Sequence, residues 1–147
     1  MKKEILENLR NNRFLNNYTE IEIFEDNLEK LAETFTETDI IELCSVFDDK
    51  TNDSEVMFGV IHLLETLSSE LAFENTIKGV VLMRKEAKEW SNIIIYRCLN
   101  DDYSVSMIKN VYKNLDKDII DSFEKQLLDI KLHDKEKFGH AIDEILM

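Results

Sequence analysis

A chain of 147 residues with no proline and only three glycines, Gly59, Gly79 and Gly139, lacks the residues that build hairpins and tight turns. It is poorly equipped for a β-rich fold. What the sequence offers instead is apolar residues recurring at intervals of three and four, the period of an amphipathic helix. The pattern predicts an all-α fold of about nine helices in one domain, residues 1–147, a length sufficient for a single core. Linkers of a few residues favour antiparallel neighbours.

A first helix is expected over about Lys2 to Leu15, with Ile5, Leu6 and Leu9 on one side. The second runs from near Thr19 to about Thr34 on the stripe Ile21, Phe24, Leu28, Leu31, Phe35, with Thr19 and Glu22 spaced as a capping box. The third starts after Thr38 or Asp39, buries Ile40, Leu43, Cys44 and Phe47, and stops in the polar stretch Asp48 to Asp53. The fourth, about Ser54 to Leu67, is apolar nearly all round and should lie centrally. A fifth spans about Ser69 to Arg84, and a sixth, Ala87 to Leu99, is a second central candidate. The last three carry Val105, Ile108 and Val111; Ile119, Phe123, Leu127 and Ile130; and Phe138, Ile142 and Ile145. Helices four and six align at an offset of 34 residues, Val60 over Ile94 and Leu64 over Cys98. That offset suits an antiparallel stack of helical hairpins, an α-α superhelix of the solenoid kind, with a compact bundle as the alternative.

The formal charge is −13, and its distribution is uneven. Between Thr19 and Glu55 thirteen acids face two bases, Lys30 and Lys50. A negative field of that kind repels nucleic acid and anionic membrane and speeds encounter with a basic partner. A solvated face that serves only solubility is the plain alternative. The N-terminus has no signal-like apolar run and no window is apolar enough to span a bilayer, so the cytoplasm is the expected address. Cys44 and Cys98 each sit in an apolar run and are expected as buried free thiols.

No glycine-rich phosphate loop, nucleophile elbow or Cys-X-X-Cys motif occurs. The sequence therefore points to no enzyme, cofactor or metal site. His62 reads as a helix-face histidine with a structural hydrogen bond, and the spacing of His133 and His140 reads as chance. Arg97, among Ile93, Ile94 and Ile95, must find a carboxylate, with Asp48 and Glu65 as candidates. Trp90 reads as core.

The segment Glu55-Val56-Met57-Phe58-Gly59-Val60-Ile61-His62-Leu63-Leu64-Glu65 follows an acidic Phe47-Asp48-Asp49 turn. A related run leads from Glu89-Trp90 to Tyr96-Arg97-Cys98-Leu99-Asn100-Asp101. In these motifs, over about residues 20 to 130, the chain resembles the immunity protein 30 family of bacterial polymorphic-toxin and contact-dependent inhibition systems. The resemblance implies a cytoplasmic antidote, encoded beside a toxin, that binds the toxin's C-terminal domain and blocks it without catalysis. It transfers no binding residues by position. Charge alone suggests a nuclease, whose basic cleft an acidic surface can occupy. The expected partner-binding face combines Asp48, Asp49, Asp53 and Glu55 with Asp101, Asp102 and Tyr103 from the turn after the sixth helix. A second function class, an acidic helical adaptor or scaffold that takes a host protein's helix or peptide, predicts binding that varies little with salt.

Overall fold

The computed structural model describes all 147 residues as eight α-helices without a strand. In chain order they are α1 (Lys2–Asn11), α2 (Tyr18–Ala32), α3 (Ile40–Cys44), α4 (Ser54–Leu64), α5 (Glu70–Leu99), α6 (Asp102–Val111), α7 (Lys117–His133) and α8 (Lys135–Leu146). A 3₁₀ turn, Glu37–Asp39, leads into α3, and another, Tyr112–Asn114, continues α6. No helix is long and apolar enough to cross a membrane.

Expected and observed boundaries differ where polar residues compete for backbone groups. Helix α1 ends at Asn11 and not at Leu15, because Leu15 lies in the left-handed region at φ 51° with its side chain buried. The expected capping box at Thr19 gives way to Asn17, whose Oδ1 accepts the Glu20 N–H at 3.0 Å. Asparagine is at least as good an N-cap as threonine, and it sits two residues earlier. Helix α4 stops at Leu64, where the Thr66 hydroxyl donates to the Leu63 carbonyl at 2.7 Å and tightens the last turn.

The 30 residues of α5 do not form a straight rod. Ala87 leaves the helical region at φ −144°, ψ 56°. In a straight helix eleven residues rise about 16 Å, yet the Ser91 hydroxyl donates to the Val80 carbonyl at 2.9 Å. The chain has reversed on itself, so α5 is a helical hairpin whose arms match the expected fifth and sixth helices. Gln126 of α7 clamps the bend by donating to Ser91 Oγ and Asn92 Oδ1, both at 2.9 Å.

The hairpins pack side by side. α1 lies against α2 and α2 against α4, while α3 lies against the first arm of α5, where a Cβ on Gly79 would stand 2.5 Å from the Cys44 sulfur. Only glycine permits that approach. α4 meets the second arm through Trp90, whose ring sits 5.6 Å from both Phe47 and Phe58. At the C-terminal side α8 touches both α6 and α5, with Tyr96 stacked on Phe138 at 4.9 Å. One buried apolar cluster runs from Ile5 to Ile145.

Candidate partner-binding site

Most of the carboxylates singled out in the sequence are committed within the fold. Asp48 is only 6% exposed; it accepts the Lys50 N–H at 2.8 Å and faces the Arg13 guanidinium at 3.9 Å. Asp49 accepts the N–H groups of Glu89 at 3.0 Å and Trp90 at 3.2 Å. Those amides are the second and third after Ala87, the residue at which the second arm of α5 starts, and an alanine there has no side chain to cap them. Asp49 supplies the missing cap from a distant loop, and its own N–H is held by the Glu86 carbonyl at 3.2 Å. Asp53 caps α4 through the Val56 N–H at 3.0 Å. Asp101 caps α6, accepting from the Ser104 N–H at 3.1 Å and hydroxyl at 2.6 Å.

The loop from Asp48 to Asp53 is thus a keystone. Asn52 ties its other side to the turn after α1, with its N–H and Nδ2 both donating to the Phe14 carbonyl at 2.9 and 3.1 Å. The loop is held on both sides, so Asp48, Asp49 and Asp53 of the expected face each have a partner within the fold. Of that expected set, Glu55, Asp101 and Asp102 remain exposed, Asp101 while it caps α6. Tyr103 is 53% exposed, with its hydroxyl donating to the Ser68 carbonyl at 2.9 Å.

Within the acidic segment from Thr19 to Glu55, most of the acids left facing solvent lie on α2 or just past its end. Glu22, Glu25 and Glu29, with Glu33 just past the helix end, step by three, four and four along one face, and all are exposed. Lys30, the single base on α2, is engaged with Asp26 at 3.1 Å. Like charges at i,i+4 weaken a helix by a few tenths of a kcal/mol per pair, and the fold gains nothing visible in return. The stripe borders a groove of about 430 Å³ between α2 and α4. Leu28, Val56 and Leu63 give the groove its apolar lining, Glu25 and Glu29 one wall, and Glu55 the other. A count of acids along the chain does not single out this surface, because it does not show which of them serve as helix caps. The three-four spacing of glutamates on the predicted second helix was the available signal.

On the opposite side of α4 lies a second concavity of about 430 Å³, at the open end of the α5 hairpin. Ile61, Leu64, Phe73 and Ile94 line it, with Tyr103 on its rim. Arg97 reaches Glu65, the expected alternative to Asp48, in a two-pronged pair at 2.6 and 2.8 Å, with its guanidinium 5.5 Å from the Phe58 ring centre. Its side chain is 41% exposed, so the pair belongs to the surface and not to the buried site expected from three neighbouring isoleucines. Cys98 also lines the cleft, and burial pushes its thiol pKa up to about 12. It stays protonated near neutral pH and is a poor nucleophile. His62 is exposed beside the Phe58 ring, and His133 shares a hydrogen bond with the Asp129 carbonyl at 2.7 Å. No three metal-ligating side chains converge anywhere in the fold.

The model of the immunity protein 30 family matches residues 11–108. The chain belongs to that family. No curated protein and no solved structure matches it. The span that defines this chain as an immunity protein starts in the last turn of α1 and ends within α6. It contains the keystone loop, the α2–α4 groove and the cleft on the other side of α4, while α7 and α8 lie outside it.

Proposed function

We propose that this immunity protein is a non-catalytic antidote that acts in the cytoplasm, binding the C-terminal domain of a toxin encoded beside it and neutralising that domain through its acidic surface. The observation that carries this reading is the glutamate stripe of α2 joined by Glu55 across the groove, solvent-facing charge left over after the caps have taken theirs. A basic toxin domain, such as a nuclease whose cleft is built for polyphosphate, is the complementary surface. The family membership supports a protein partner, and the negative field disfavours nucleic acid and anionic membrane. Asp102 and Tyr103, on the far side of α4, belong to a secondary contact region in this account.

Co-expression with the C-terminal domain of the neighbouring gene's product tests the proposal. Rescue of growth and co-purification are expected, and Glu25→Lys combined with Glu29→Lys and Glu55→Lys should abolish rescue while circular dichroism stays helical. Growth arrest despite a folded wild-type protein would refute it. The adaptor reading, in which charge serves solubility alone, predicts that the triple reversal leaves partner binding unchanged.

A further inference from the structure

Resting on that reading, we propose that the α2–α4 groove is the anchoring site for long basic side chains, lysine or arginine, on a single segment of the toxin, their stems lying on the apolar lining and their charged heads between the glutamate walls.

Three features of the groove select this occupant. Its lining is apolar at Leu28, Val56 and Leu63 while Glu25, Glu29 and Glu55 stand at its edges, so a ligand must be apolar along its length and cationic at its end. Lysine and arginine have that construction, and such side chains routinely bury their stems while the head stays hydrated. A bare metal ion fits poorly, because the carboxylates do not converge into a ligand set. A phosphate-bearing ligand is repelled by the same walls.

Gly59 keeps the trough deep. A Cβ there would stand 3.1 Å from Leu28 Cδ2 and narrow the space between the helices. Glycine inside a helix costs about 1 kcal/mol against alanine, and here it keeps α2 and α4 close while leaving the groove open. Association steered by the α2 stripe and retention by a few desolvated stems are separable contributions, the first acting on encounter and the second on escape.

The test measures association and dissociation rates of the full-length protein with the toxin domain encoded beside it, by surface plasmon resonance at low and at physiological salt. Glu25→Gln, Glu29→Gln and Glu55→Gln together remove the charge and keep the shape; Ala32→Trp and Thr66→Trp, at exposed groove positions, fill the trough and leave every carboxylate in place. The proposal expects the glutamine triple to slow association at least tenfold at low salt. It expects each tryptophan to speed dissociation at least tenfold with association within about twofold of wild type. Tryptophan variants that bind like wild type, beside a defective glutamine triple, would overturn the groove as anchor and leave the acidic-surface reading standing. Fast dissociation of the tryptophan variants with no effect of the glutamine triple would show an apolar occupant and overturn the basic one. Loss of neither would sink both readings.

Discussion

Asp49 lies forty positions before the Glu89 amide it caps. Its carboxylate meets the second and third amides of the arm that restarts at Ala87, the two that a local N-cap would serve. Asp49→Ala should therefore lower stability in urea unfolding by about 1–2 kcal/mol, and Asp49→Asn should retain most of the wild-type value because the amide oxygen still accepts. A loss under 0.3 kcal/mol for the alanine variant would mean the cap is ornamental. The contrast with Asp53 and Asp101 shows what the sequence reveals at this scale. Both precede the helices they cap by one residue, and that relation is visible in a string of letters. Asp49 serves a helix that only tertiary folding brings near. Arg97 repeats the lesson, since its need for a carboxylate and two candidate partners, Asp48 and Glu65, were legible in the sequence, but the choice of Glu65 and the exposure of the pair were not.

At the scale of elements, the apolar period located every helix because each buries a stripe against a neighbour, and burial fixes period. Ends were harder to place. Asn12 to Leu15 read as a continuation of α1, yet the run is spent on the turn that carries Leu15 at φ 51°. The bend at Ala87 was legible as a boundary between two helices, but not as a reversal held by Ser91, Val80 and Gln126. Helix α2 separates stability from binding most clearly. Glu29 has Glu25 and Glu33 one turn away on either side, so Glu29→Lys converts two repulsions into attractions. Thermal unfolding should shift upward by about 1–3 °C while affinity for the toxin domain falls. A variant that gained stability and kept its affinity would place the binding surface elsewhere on the molecule.

For the whole molecule, the negative charge of the segment from Thr19 to Glu55 divides between two tasks. The aspartates of the keystone loop and of the start of α4 hold the hairpins together, and the glutamates of α2 with Glu55 remain as the outward field. Net charge read along the chain showed the field's sign and its third of the sequence. It did not show which acids serve as caps, because capping is set by geometry and geometry belongs to the fold. On the proposed function, this field recruits a basic partner. Its most direct test is the association rate with the proposed toxin partner as a function of ionic strength, measured by stopped flow for the wild type and for the Glu25, Glu29 and Glu55 to glutamine triple. The wild-type rate should fall at least tenfold between about 0.02 and 0.3 M salt, and the triple variant should be slower at low salt with a much flatter dependence. Equal rates and equal slopes for the two proteins would contradict it.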